Sequence, residues 1–306
     1  MNYYEQFLQC TKCHSAIEYK DTHLSCAKCK AVYPIKNGIP DMLVGASEDL
    51  RLTIAKWNKI YVDKWENGTI NADYEFYMQT YFADIARQVG EVSNYKDSVY
   101  LEIGCGTFFF GREIAKDCSV VIGVDICESS LEIAKKLLEE RNISNYLLLK
   151  ADILDMPIKN DSIDLLYGGG VIEHFPDTQK SVNEIYRVLS PGGVSYNTVP
   201  WLNIGALTYR QVWGNIPNFP ILKQVAEFIH MKVLGGRHML YGYEFSFPIS
   251  KMHKIHAKAG FKDITISKLD VKLTFDFIPE RARKLFIKIA NKTTIFWPMI
   301  KVIARK

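Results

Sequence analysis

Long apolar runs are absent. Nowhere do apolar residues continue unbroken for the ~18 positions that a bilayer-spanning helix needs, so no membrane span is expected. The first ten residues, MNYYEQFLQC, hold no basic cluster followed by an apolar stretch, so no signal peptide is expected. These absences point to the cytoplasm, where disulfides are rare and the seven cysteines would serve metal binding or packing. Charge of one sign is scarce as well. The net charge is +4, with 24% charged and 48% hydrophobic residues, the composition of an ordinary globular chain. The charge is unevenly spread, however: Pro279 to Lys306 carries eight Lys or Arg against one acid. Such a segment is either a solvated helix face or a contact for phosphates, whether on the inner face of a membrane, a lipid-linked substrate or RNA.

Four of the cysteines are regularly placed. CTKC, then twelve residues, then CAKC sets Cys10, Cys13, Cys26 and Cys29 as two tight knuckles, each able to give two thiolates to a tetrahedral zinc ion. Four sulfur ligands leave no open position, so the zinc is structural. The intervening HSAIEYKDTHLS is long enough for a hairpin turning near Asp21, and so short a segment would draw its folding energy from the metal. His14 and His23 are surface residues in this reading. VGASEDL reads as a linker with Ser47 starting the next helix, which divides the chain into a module over 1–45 and a larger domain over 46–306.

In the larger domain, helical stretches around 50–66 and 74–92 precede a strand that begins at Val99. Strands and helices then alternate: SVVIGVDI, SSLEIAKKLLEERN, NYLLLKADI, IDLLYGGGVI, TQKSVNEIYRVL, GGVSYNTVP. That alternation predicts a Rossmann-like α/β sheet with helices on both faces and a ligand at the carboxyl ends of its strands. The turn VYLEIGCGTFFFG has no third glycine at the dinucleotide spacing: it reads E-x-G-x-G with Phe108, Phe109 and Phe110 following, and not the G-x-G-x-x-G of a dinucleotide-binding turn. Glu102, just before the turn, would repel a pyrophosphate but could hold an ammonium group. Asp125, about 20 residues on, suits a ribose diol. Asp152 could recognise an adenine amino group. An amino acid joined to adenosine fits all three acids, whereas a dinucleotide does not.

The segments LEIGCGT (101–107), GVDI (123–126), KADILDMP (150–157), IDLLYGGGVIEHFPD (163–177) and EIYRVLSPGGV (184–194) follow in the order that resembles a class I S-adenosylmethionine-dependent methyltransferase. The resemblance implies a seven-stranded sheet and a cofactor site. Glu102, Gly104, Cys105 and Gly106 would surround its methionine part, Asp125 and Ile126 the ribose, and Asp152 and Ile153 the adenine. Gly168 and Gly169 would leave room for its methyl end. His174, in VIEHFPD, is a general base or an orienting residue; the similar quinone O-methyltransferases add the option of a divalent ion held there. GGGVIEH in place of an N-P-P-Y-type motif resembles small-molecule enzymes, with RNA methylation as the alternative and a non-catalytic cofactor-binding scaffold as a third. Over Cys10 to Leu43 the first module resembles the small zinc-ribbon proteins that activate tRNA and protein methyltransferases.

Two insertions carry the expected substrate choice. Residues 201–248 hold Trp201, Tyr209, Trp213, Phe219, Phe228, Tyr241, Tyr243, Phe245 and Phe247, an aromatic lid suited to an apolar or ring-containing acceptor, with Arg210, Arg237, His238 and Tyr241 as polar contacts. Residues 279–292 form a basic amphipathic helix, with Ala282, Leu285, Phe286, Ile289 and Ala290 at helical spacing. It either packs on the domain or lies on an anionic membrane.

Overall fold

In a computed structural model, the structure describes residues 3–43, 45, 47–235, 244–273, 275 and 278–306, with the side chains of 49, 212 and 213 excepted. The chain opens with α1 (Tyr3–Phe7) and four short strands, β1 (Ile17–Lys20), β2 (His23–Cys26), β3 (Val32–Lys36) and β4 (Ile39–Pro40), paired antiparallel in that order. Asp21 and Thr22 make the hairpin turn between β1 and β2. Helices α2 (Glu48–Glu66), α3 (Thr69–Tyr77) and α4 (Ala83–Val92) follow, the last two joined by one π turn. Ser47 caps α2, its side chain accepting from the Leu50 amide.

The main sheet is built from β5 (Val99–Ile103), β6 (Val120–Asp125), β7 (Tyr146–Lys150), β8 (Ile163–Gly169) and β9 (Leu189–Pro200), connected by α5 (Phe109–Ile114), α6 (Glu128–Glu139) and α7 (Thr178–Val188). Apolar residues run almost without a break through β5, β6 and β7, as parallel strands covered on both faces require. The insertion after β9 forms α8 (Ile204–Leu207), a 3-10 turn, β10 (Asn215–Pro217), α9 (Leu222–Glu227) with a π turn to Val233, and β11 (Glu244–Ser246). Next come α10 (Ile249–Ala259), β12 (Asp263–Lys268), α11 (Glu280–Thr293) and β13 (Met299–Arg305). The sheet has seven strands in the order β12-β13-β9-β8-β5-β6-β7, all parallel except β13, which pairs antiparallel with both neighbours.

The first module is not a loosely tethered bead. The Met42 amide donates to the Lys150 carbonyl at 2.8 Å, and Asp41 pairs with Lys150 along the open edge of β7. Lys150 Nζ bridges Asp41 and Glu128 at 2.9 and 2.8 Å. On the other side the Gln9 amide donates to Pro157 O and the Lys159 amide to Phe7 O, both at 2.9 Å. Leu8, Leu24, Tyr33 and Met42 share one buried cluster with Leu147, Leu149 and Ile158. Covering β7 in this way removes an exposed strand edge.

Phe108 shows how the turn manages without that third glycine. Its backbone is left-handed, φ 60°, the conformation that a glycine adopts at no cost. Its ring is fully buried, and the room comes from Gly111: a Cβ there would lie 2.2 Å from Phe108 Cζ. Gly111→Ala should therefore destabilise the fold by about 1–3 kcal/mol, as overpacking does, seen as a fall of several degrees in Tm. An unchanged Tm would show that the ring has somewhere else to go.

Candidate active site

An open cleft of about 200 Å³ lies at the carboxyl end of β5, where the chain enters the glycine-rich turn. Its floor holds Glu102, Ile103, Gly104, Cys105, Gly106 and Thr107, and Tyr167 and Gly169 of β8 also line it. Helices α2 and α3 supply the opposite wall with Tyr61, Lys64, Ile70, Asp73 and Tyr77. Lys64 and Asp73 form an ion pair of 2.7 Å between these helices. Gly104 and Gly106 are both left-handed, φ 55° and 52°, and a Cβ on Gly106 would meet the Tyr61 hydroxyl at 2.5 Å.

Two carboxylates are built into this turn. Glu102 Oε2 accepts from the Tyr100 hydroxyl at 2.9 Å and from the Gly111 amide, the first turn of α5, at 2.8 Å. Burial nevertheless dominates and pushes the Glu102 carboxyl up to about 8. Such a group is protonated at neutral pH until a cation joins it. Asp125, at the end of β6, accepts from the Gly106 amide with Oδ2 and from the Cys127 amide with Oδ1, each at 2.8 Å. Burial raises its carboxyl too, against those two amides.

The expected site residues divide into those that line the cleft and those that do not. Glu102, Gly104, Cys105, Gly106 and Gly169 line it. Asp125 stands beneath the turn and braces it. Ile126 follows Asp125 in the loop toward α6. Asp152 and Ile153 lie in the loop after β7, where Asp152 Oδ1 accepts from the Leu154 amide at 2.8 Å and Ile153 is buried. Gly168 faces the sheet interior, where a Cβ would meet Asn197 Oδ1 at 2.4 Å, so it makes room for Asn197 rather than for a ligand. His174 ends a short 3-10 turn (Ile172–His174), half-buried and outside the cleft lining.

The aromatic insertion does not line the cleft with its described residues. Phe245 and Phe247 are fully buried against each other, and Trp201 pairs with Phe247 and donates its amide to Pro298 O, so this segment is zipped along β9 and β13. Tyr209 meets Phe275 and Phe286 edge to face. Arg210 is committed to Glu244 at 2.7 Å. Arg237, His238, Tyr241, Tyr243 and the Trp213 side chain lie outside the described residues. The covering aromatics come instead from α2 and α3, upstream of the sheet. Asn58 of α2 accepts from the Ser129 amide at 3.0 Å and from the Cys127 thiol, which holds that helix over the end of β6. Tyr77 and Tyr167 are hydrogen-bonded to each other at the cleft. The Trp- and Tyr-rich composition of 50–92 was the one signal in the sequence for these groups.

The four cysteine sulfurs lie within 4.8 Å of one another. The two knuckles repeat one hydrogen-bond pattern. The His14 amide donates to Cys10 O as the Lys30 amide does to Cys26 O, and both His14 and Lys30 are left-handed. His14 itself contacts the Gln9 amide group at 3.1 Å, away from the sulfurs. The donor set fits a tetrahedral thiophilic ion.

Residues 101–196 match the family model described as Methyltransferase domain. A demethylmenaquinone methyltransferase of Lactobacillus johnsonii is 26% identical over 181 residues, spanning 56% of this chain and 70% of its own length. The sterol 24-C-methyltransferase of Aspergillus fumigatus is 32% identical over 120 residues, 39% of this chain and 31% of its own. The chain is an S-adenosylmethionine-dependent methyltransferase. The methyltransferase also shares its fold with a chain in the complex containing the Haloferax volcanii Trm112 methyltransferase activator (TM-score 0.55, 13% identity, 81% of this chain and 96% of that one). A further fold match is the Haemonchus contortus phosphoethanolamine N-methyltransferase 2 in complex with S-adenosyl-L-methionine (TM-score 0.50, 17% identity, 74% and 52%).

Asp125→Ala removes two hydrogen bonds that the carboxylate accepts from backbone amides, each worth about 1.5–3 kcal/mol. It should lower Tm and, measured on the folded variant by calorimetry, weaken S-adenosylhomocysteine binding by about tenfold or more. Unchanged affinity would remove Asp125 from the site.

Proposed function

We propose that this methyltransferase modifies a small-molecule acceptor, most specifically a lipid-linked one, on oxygen or nitrogen; the sterol relative's name adds carbon. The match to demethylmenaquinone methyltransferases across more than half of the chain carries this reading. Sterol methyltransferases, whose named substrate is also an apolar ring system, support it. When bound, S-adenosylmethionine supplies a methyl already activated by its sulfonium. The chain's task is then alignment and exclusion of water. We assign Glu102 to the cofactor's ammonium, with Gly104, Cys105 and Gly106 allowing close backbone approach. Asp125 and Ile126 take the ribose side, where Asp125 keeps lone pairs beyond those given to Gly106 and Cys127. Asp152 and Ile153 take the adenine. Gly169, Tyr77 and Tyr167 border the acceptor side, and Tyr61, Ile70 and Tyr77 keep water out. His174 is assigned as the base that relieves a hydroxyl acceptor of its proton. A rate of His174→Ala that keeps the wild-type pH profile would make it an orienting residue only.

Residues 1–45 are read as a zinc-ribbon module docked on the methyltransferase domain of 46–306, with Cys10, Cys13, Cys26 and Cys29 holding one structural zinc. Because the ribbon shares its buried cluster with the sheet, stripping the metal with a strong chelator should lower the Tm of the whole chain in one transition. A metal-free preparation with the same Tm would remove the zinc.

The acceptor class is tested by incubating the protein with methyl-labelled S-adenosylmethionine and separated lipid, small-solute and RNA fractions of an extract. Label is expected in the lipid fraction, and label confined to RNA would overturn the reading.

A further inference from the structure

Twenty large apolar side chains are exposed among the described residues, and they are not spread evenly: ten lie between Ile204 and Val233 and three more between Leu285 and Ile295. In the segment formed by α9 and its π turn, only Ala226 and His230 are buried, while Ile221 (73% exposed), Val225, Phe228 (62%), Ile229 and Val233 (64%) all face outward. A helix normally hides such a face in a core. In α11 the orientation is set by Ala290, fully buried, and by Phe286, packed against the rings of Tyr209, Phe275 and Phe296. Arg281, Lys284, Lys288 and Lys292 recur at three- and four-residue spacing on the opposite side, all exposed, with Leu285 (63%) beside them. The expected apolar stripe is thus split, with Phe286 and Ala290 inward and Leu285 and Ile289 outward.

Contacts join these elements. The His230 ring meets Gln211 Oε1 at 2.9 Å, tying the π turn to the 3-10 turn after α8. The Gly205 amide donates to Ile295 O at 3.2 Å and the Tyr209 hydroxyl to Phe296 O at 2.9 Å, tying that segment to the end of α11.

We propose that the outward apolar side of 204–233 and the basic stripe of α11 form one docking surface for an anionic lipid bilayer, on which the protein lies without crossing it. No helix among the described residues is long and apolar enough to span. Apolar side chains enter the acyl boundary while lysines and arginines meet phosphate headgroups. A second copy of this chain would set one basic stripe against another, and RNA would gain nothing from ten bare apolar side chains. The insertion leaves the carboxyl end of β9, the same side of the sheet as the cleft, so docking presents the cleft's side to the source of a lipid-linked acceptor. The inference rests on that acceptor reading for its purpose, but vesicle binding is measured without acceptor or cofactor, so the two fail separately.

The test is sedimentation of the full chain with phosphatidylcholine vesicles containing about 30% phosphatidylglycerol. Wild type should pellet with them, and less so as salt rises. Lys284→Gln/Lys288→Gln/Lys292→Gln should lower partition about a hundredfold, at ~1 kcal/mol for each charge lost near the surface. Val225→Ser/Phe228→Ser/Ile229→Ser should lower it about tenfold or more. Unchanged S-adenosylhomocysteine affinity certifies the fold of each variant. Wild type left in the supernatant, or both variants pelleting like wild type, would overturn the proposal. So would a dimer in ultracentrifugation that the serine variant dissolves, since the face would then belong to a second copy.

Discussion

The carboxylate of Glu102 constrains everything around it. Placing it at the buried end of β5 costs free energy, and the Tyr100 hydroxyl and Gly111 amide offset that cost only in part. Its raised pKa reflects the remainder. The turn that follows must be glycine-rich to bring backbone, not side chains, to the cleft, and Asp125 holds it from below through the Gly106 amide. Helix α5 starts where the amide of its third residue, Gly111, can reach Glu102. Burial outweighs the Arg112 charge that acts on this carboxyl, which leaves it poised for a cationic ligand and hostile to a phosphate.

The additions to the sheet sit at its two ends. The cysteine-bearing module covers the free edge of β7 and adds its own apolar residues to the common core. The insertion after β9 and helix α11 pack together beside β13. Between them the middle strands β5 and β8 stay open at their carboxyl ends, covered among the described residues by α2 and α3. Support, substrate access and chemistry are thus handled by separate parts of one sheet.

The central strands and their succession along the chain were legible because parallel strands buried on both faces leave long apolar runs, and the motifs fall at their ends. The gathering of four cysteine sulfurs was legible from their spacing alone, and Ser47 was legible as a cap. The role of Phe108 was not, since its left-handed backbone and the space over Gly111 are a pairing of residues that no local pattern encodes. Nor was the docking of Met42 along Lys150, which depends on a strand edge formed more than a hundred residues later. The aromatic content of 201–248 suggested a lid because composition cannot distinguish a ring over a cleft from one packed along β9, as Phe247 is. Helix α2 covers the cleft instead, through Asn58 and Tyr61, polar and aromatic positions of no recognisable motif. Gly168 was similarly ambiguous: a glycine at a strand end makes room, but only the structure shows that the room is for Asn197.

The most direct test of Glu102 as a cation receptor is calorimetry of S-adenosylhomocysteine binding in two buffers of different ionisation enthalpy. With a free-state pKa of about 8, the carboxyl is largely protonated at pH 7, and pairing with the ligand's ammonium favours its charged form. Binding should therefore release most of a proton at pH 7, affinity should climb from pH 6 and level off above 8, and Glu102→Gln should abolish the release. Binding at pH 7 with no proton released and no change between wild type and Glu102→Gln would contradict it.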